Sequence, residues 1–277
     1  LALTSSFLDS RETVVASGGN IMPANGCVID RGQITERRVA KRPIPAFQTI
    51  EYLRSFMTGR LGWSRLGALM IISGAFGIFR REEVIAINGY LTSREKYEKD
   101  TVGEDMELVI RLERNLRERG VPHKITYNCL ANCWTEVPST LSVLKRQRER
   151  WQRGLLEILS FHRTMIANPR YGKYGLIGFP YYVVIEVAGA WFELFALVVF
   201  VACIAAGAID PSVFRFVVWT NLAYGLSLSA LSIFLNERNG RVFPLHDRMA
   251  LMVASVLEQA GFRQLVSFFR VSGYVGV

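Results

Sequence analysis

From Tyr174 to Ile209 the chain carries only two charged residues, Glu186 and Glu193. One bilayer crossing needs roughly 20 apolar residues, so the run is too long for a single straight span. A second apolar stretch, Val213 to Leu235, follows with Arg215 near its start. The junction Asp210-Pro211-Ser212 has no cation, whereas Arg163, Arg170 and Lys173 precede the pair and Arg238, Arg241 and Arg248 follow it. Positive residues mark the cytoplasmic side, which predicts a transmembrane hairpin with both outer ends inside. Residues 175–188, with Pro180-Tyr181-Tyr182, read as an interfacial or tilted lead-in. Residues 249–269 are amphipathic and broken by Glu258, Gln259 and Arg263. They read as an interface helix rather than a third span. Two to three transmembrane helices are therefore expected within residues 161–277.

The first 160 residues differ in character. Half of the chain is hydrophobic and 21% is charged; the two classes are segregated, with charges spread through the first part. The net charge of +9 favours acidic partners. Because the cations crowd the apolar region, lipid headgroups and phosphate are favoured over nucleic acid. Cys27, Cys129, Cys133 and Cys203 form no C-x-x-C pair and read as reduced thiols.

Local patterns outline an α/β domain. Thr13 to Ala16 is a short strand ended by Gly18-Gly19, and residues 24–46 read as loop. Phe47, Ile50, Leu53 and Met57 recur at helical spacing, predicting a helix from Phe47 to Arg60. Residues 66–79 read as a buried strand with a glycine bend, Glu82 to Ile87 as a short helix and Asn88-Gly89 as a turn. A helix opens at Thr101–Glu107, carries a Leu108/Leu112/Leu116 stripe and closes at Gly120. Pro122 to Tyr127 reads as a strand, and Ser139 as the cap of a further helix.

Three groups could carry chemistry. Glu104 and Asp105 sit in a helix first turn, where acids complement the helix dipole or where one could act as a general base. Gln147, Arg150 and Trp151, at i, i+3 and i+4, share a helical face. An aromatic ring, a guanidinium and an amide there suit a sugar and a phosphate; an interfacial helix anchored in anionic headgroups accounts for them equally. Ser73-Gly74-Ala75-Phe76 is either a bend where ligand approaches backbone or a packed glycine in a buried strand. Glu186 and Glu193, seven apart, share a helix face.

Taken in order, Ser73–Phe76, Gly103-Glu104-Asp105, Gln147-x-x-Arg150-Trp151 and the apolar spans resemble the membrane-bound family 2 glycosyltransferases, the group of cellulose, hyaluronan, chitin and poly-N-acetylglucosamine synthases. Thr135-Glu136-Val137-Pro138, Arg146 to Gly154 and Gly261-Phe262-Arg263-Gln264-Leu265 add to the likeness. The resemblance implies the C-terminal part of a GT-A catalytic domain over residues 1–160, then interfacial helices and a transmembrane hairpin over 161–277. It implies inverting transfer from a nucleotide sugar, such as a UDP-sugar, to a polysaccharide or glycolipid acceptor at the cytoplasmic face of a bacterial-type plasma membrane. By the same resemblance Asp105 is the general base and Glu104 its neighbour. Gln147 and Arg150 contact the donor diphosphate, Trp151 lines the acceptor site, and Ser73, Gly74, Ala75 and Phe76 lie beside it. Mg²⁺ or Mn²⁺ would neutralise the leaving diphosphate.

One departure stands out. The family holds its metal with an upstream Asp-x-Asp motif, and this sequence contains none. Phe7-Leu8-Asp9 and the strand after it resemble the segment that follows that motif. The expectation is a donor-binding half missing from these residues, no metal ligands among them, and no transfer by these 277 residues alone. The rival expectation, from the same absence, is a non-enzymatic membrane translocation or scaffold module with a degenerate transferase fold.

Overall fold

The computed structural model describes residues 2–8, 13–91, 101–240 and 243–276; Asp9, in the Phe7-Leu8-Asp9 segment noted above, lies outside them, as does Arg241. A single turn, α1 (Ala2–Ser5), precedes strand β1 (Val14–Pro23), buried at every position. A hairpin of β2 (Val28–Asp30) and β3 (Gln33–Glu36) follows. It lies within the stretch expected to be loop, and its exposed residues carry little apolar alternation to betray it.

Next comes a long helical stretch, α2 (Pro43–Leu53), a π-helical segment Arg54–Arg60 and α3 (Leu61–Leu66). It starts earlier than expected because Pro43 occupies the first helical turn, where its missing N–H costs nothing. It ends at Gly67, whose φ of 74° is a left-handed cap. Residues 68–76 are not the buried strand expected. Ala68, Leu69, Met70 and Ile72 are buried, but only β4 (Gly77–Phe79) joins the sheet. Then come α4 (Arg81–Ala86) and a turn in which Asn88 and Gly89 both have positive φ.

The main sheet has the order β4-β1-β5, with β5 spanning Lys124–Thr135. β1 runs antiparallel to β4 and parallel to β5. β1 continues through Gly18-Gly19, where the sequence suggested a stop. A side chain at Gly19 would meet the Phe76 ring at 2.3 Å, and one at Gly18 would meet Ile72 at 3.0 Å. These glycines admit close neighbours rather than ending the strand. β5 is also longer than Pro122 to Tyr127 and bulges where Asn20 pairs with Asn132.

Helix α5 (Glu104–Glu118) lays Leu108, Leu112 and Leu116 under the sheet, against Val15, Ile21 and Ile125. Gly120, φ 65°, follows its end. Met106 and Ile110, on its other side, pack with Ile158 and Leu159 of α6 (Leu141–Phe161) and with Tyr174 and Phe179. α6 is capped by Thr140, which accepts from Val143 N–H, and not by Ser139, whose hydroxyl accepts from Asn25 instead.

Beyond short turns at Arg163–Met165 and Pro169–Tyr171, one helical rod covers Tyr174–Ala205. It comprises a π-helical start, α7 (Phe179–Tyr181), a second π-helical segment and α8 (Gly189–Ala205). α9 (Pro211–Arg238) is the second rod, begun by Asp210, which caps Ser212 N–H. Both are long and apolar enough to cross a membrane, with mean hydropathies of 2.3 and 1.4. Phe195, Val198, Phe216 and Trp219 stand exposed on them.

The segment 249–269 is two helices, not one. α10 (Leu245–Leu257) and α11 (Arg263–Ser272) are separated by non-helical Ala260 and Gly261. A third core, with Met22, Ile50, Leu53 and Met57 from the first part and Ile233, Phe243 and Leu251 from the second, roots α9 and α10 in the sheet domain.

Candidate active site

Asp105 stands in the first turn of α5, at the dipole's positive end. Its Oδ1 accepts from Met106 N–H at 2.8 Å and its Oδ2 from Gly74 N–H at 3.0 Å. Ser73–Phe76 is a tight bend closed by Phe76 N–H to the Ser73 carbonyl, and a Cβ on Gly74 would sit 3.4 Å from that of Asp105. The bend thus touches the carboxylate directly. Gly74 and Ala75 are exposed and Ser73 is partly buried. Phe76 turns away, its ring lying over Gly19 against the core.

Burial pushes the Asp105 carboxyl above the ordinary Asp range. The two backbone N–H groups and Arg60 pull it back, and Glu104 pushes it further up. The net result is a carboxylate with raised basicity. Glu104 is exposed and makes no hydrogen bond or ion pair among the described residues.

α6 supplies the neighbouring wall. Trp151 is 42% exposed, Arg150 is exposed and Gln147 partly buried. Gln147 Oε1 has no hydrogen-bond partner, and Arg150 has neither such a bond nor an ion pair among the described residues. Buried Arg148 fixes the ring: its guanidinium lies 4.6 Å from the Trp151 centroid and grips Glu51 of α2 bidentately at 2.7 and 2.9 Å.

Two glycines set the distance between the walls. A Cβ on Gly154, one turn past Arg150, would lie 2.9 Å from Gly103 N, and one on Gly103 would meet Ile158 at 2.5 Å. Only bare backbones allow α6 to reach the start of α5 here. Thr101 Oγ1 donates to Glu157 Oε2 at 2.9 Å across the same joint. Glu107, one turn into α5, pairs with Arg111 at 2.8 Å and faces His162 at 3.5 Å.

The opposite side of α6 is fastened to α11. Gln152 accepts from Arg270 at 3.0 Å and donates to the Tyr274 hydroxyl at 2.9 Å, and Ser272 donates to Glu149 at 2.7 Å. Arg270 also pairs with Glu186 at 3.0 Å, and Ser267 donates to Glu193 at 2.6 Å. Both acids of the first rod are thus tied to α11. A polar cleft of about 290 Å³ opens beside this joint, lined by Glu51, Arg54, Glu193, Tyr224, Glu258 and Arg263 among others.

The structure therefore joins the Ser73–Ala75 bend to Asp105 and seats α6, which carries Gln147, Arg150 and Trp151, against the start of α5 through Gly103 and Gly154, with the Phe76 ring set apart. Sequence reading missed Glu51, Gly154 and Arg60. Arg60 left a faint signal, as a cation inside an otherwise apolar helical stretch.

A profile of glycosyl transferase family group 2 matches residues 32–227, well over half of the chain. The chain belongs to that family. As a family 2 glycosyltransferase it is similar to the poly-beta-1,6-N-acetyl-D-glucosamine synthase of Staphylococcus aureus (strain COL), with 36% identity over 120 residues, 43% of this chain and 26% of the relative. The synthase of the same name from Staphylococcus epidermidis is 31% identical over 112 residues, 40% of this chain and 24% of that protein. Each match thus spans about a quarter of the relative's length.

Proposed function

We propose that this family 2 chain forms the acceptor side of an inverting transferase that moves a sugar from a nucleotide sugar, such as a UDP-sugar, to a polysaccharide or glycolipid acceptor. The observation that carries the reading is the Asp105 carboxylate, held by Gly74 and Met106 N–H groups with raised basicity, one glycine contact away from the Trp151 helix. An acceptor sugar stacks on Trp151 and passes the Ser73–Ala75 bend. Its hydroxyl gives its proton to Asp105 as the oxygen attacks the anomeric carbon from the side opposite the diphosphate. Attack from that side inverts the centre. Arg150 and Gln147 receive the charge growing on the departing diphosphate. Their freedom from other partners suits groups kept for a ligand. A β-1,6-linked N-acetylglucosamine polymer, the product in the relatives' name, is one candidate product.

The implied Mg²⁺ or Mn²⁺ does not fit the residues at hand. No group of three or more His, Cys, Asp or Glu able to hold an ion exists among the described residues, and the sequence has no Asp-x-Asp. Metal binding, and the part of donor binding beyond Gln147 and Arg150, would fall to other residues of the complete protein. The two apolar rods and their flanking cations support integral insertion in a bacterial-type plasma membrane, with the site on the cytoplasmic face. The lack of a metal cluster also favours a second reading, a non-enzymatic membrane module.

The test is Asp105→Asn in the complete membrane protein, followed by incorporation of labelled nucleotide sugar. Turnover should fall by about 10²- to 10⁴-fold while donor binding persists. Normal turnover would remove Asp105 from the role of base, and a wild-type protein without turnover would leave the membrane-module reading.

A further inference from the structure

Among the described residues, Arg60 is the cation whose charge acts on Asp105. It ends the π-helical segment Arg54–Arg60 and is partly buried. Its guanidinium lies 4.2 Å from the Phe56 centroid, and Nη1 donates to the Ile71 carbonyl at 3.4 Å. It forms no ion pair within 4 Å among the described residues. A buried cation in that state costs free energy unless a nearby negative charge offsets it. The groups that act on it are Tyr182, Asp105, Tyr127 and Tyr52, so Asp105 is the one carboxylate among them.

The same residue reaches Asp105 by two routes. Through space, its charge favours the ionised carboxylate. Through structure, it holds Ile71, two residues before the Ser73–Phe76 bend whose Gly74 N–H binds Asp105 Oδ2. The π-helical winding matters here, because it changes the angular register at which Arg60 leaves the helix.

We propose, on the transferase reading above, that Arg60 is a positioning residue for Asp105: it braces the bend that holds the carboxylate and supplies the positive field that keeps it ready to take a proton. The remaining groups facing Asp105 are Glu104 on its own helix and Tyr182 on the first apolar rod. The first opposes the Arg60 charge. Arg60 is thus the cation that sets the balance.

The experiment compares wild type, Arg60→Lys, Arg60→Gln and Arg60→Met in the complete protein. The readouts are the pH dependence of kcat/KM and infrared titration of the Asp105 carboxyl, its band identified by loss in Asp105→Asn. Removing the cation should raise the carboxyl's titration point, so the acid limb should move to higher pH by about one unit in the Gln and Met variants. Arg60→Lys keeps the charge and should leave the limb within a few tenths of a unit. A limb and a carboxyl titration unmoved in both neutral variants overturn the proposal. So does failure of both neutral variants to fold, which would make Arg60 a structural residue. Turnover surviving in Asp105→Asn would instead sink the base assignment, while the infrared titration still reads the Arg60 effect without turnover.

Discussion

The two faces of α6 handle polar groups in opposite ways. On the face toward α11, Gln152, Arg270, Glu186 and Tyr274 answer one another at hydrogen-bond distance, and Glu149 accepts from Ser272. On the Gln147–Arg150–Trp151 face, Gln147 Oε1 and Arg150 have no partner among the described residues, and Trp151 is half open. A folding chain gains from satisfying its polar groups, so on the transferase reading proposed above the open face is the one offered to a ligand. The paired face is architecture. The contrast extends to the π-helical segment after α2, where Arg54 meets Glu258 at 2.5 and 3.0 Å in the wall of the polar cleft and Ser229 at 3.0 Å.

Mutations can break this contrast on either side. The largest loss of stability is expected from Arg54→Ala, which strands Glu258, 2% exposed at its side chain. A buried pair broken on one side costs about 3 to 5 kcal/mol, measurable by thermal unfolding in detergent; Arg54→Met with Glu258→Leu should recover much of it. Next is Gly154→Ala. The new methyl group would press on Gly103 backbone at 2.9 Å, costing about 1 to 3 kcal/mol and shifting Asp105 against Trp151. Turnover in the complete protein should fall with it.

A pH dependence follows, smaller again. Burial opposes the ionised Glu107, but His162 and Arg111 outweigh it and hold its carboxyl below the ordinary range. A depressed folded pKa gives stability that is present above the unfolded value, about 4.3, and lost as pH falls through the folded one. Wild type should therefore lose its advantage over Glu107→Gln as pH drops below about 4, followed by paired melting curves. The smallest structural effect belongs to Arg150→Ala, within about 0.5 kcal/mol, because the side chain is exposed and unpartnered. Its turnover in the complete protein should nevertheless fall steeply. Large stability loss with normal turnover would move Arg150 to the architectural face.

What could be read from the sequence followed from locality. The Leu108/Leu112/Leu116 stripe and Gly120 define α5 because period and cap lie within one helix. That Gln147, Arg150 and Trp151 share one helix was legible for the same reason. Residues 68–72 were misread because burial demands apolar side chains whether or not a ladder forms, and here none does. Ser139 and Thr140 are both good caps, and only the approach of Asn25 assigns Ser139 elsewhere. Gly18-Gly19 looked like a stop because Ile72 and Phe76, which need the space, come from a distant segment. The roles of Glu51, Gly154 and Arg60 depend on partners far along the chain, so no local window contains them.

Gly261 decides the course of α10 and α11. At φ 112° it holds a backbone that residues with a side chain rarely adopt. Were Leu245–Ser272 straightened into one helix, it would be about 40 Å long at 1.5 Å per residue, more than the hydrocarbon thickness of about 30 Å. Such a rod could dive across the membrane, dragging Glu258, Arg263 and Arg270 into oil. The break makes it fold over instead, like a carpenter's rule, and the missing side chain keeps α11 beside the Trp151 helix.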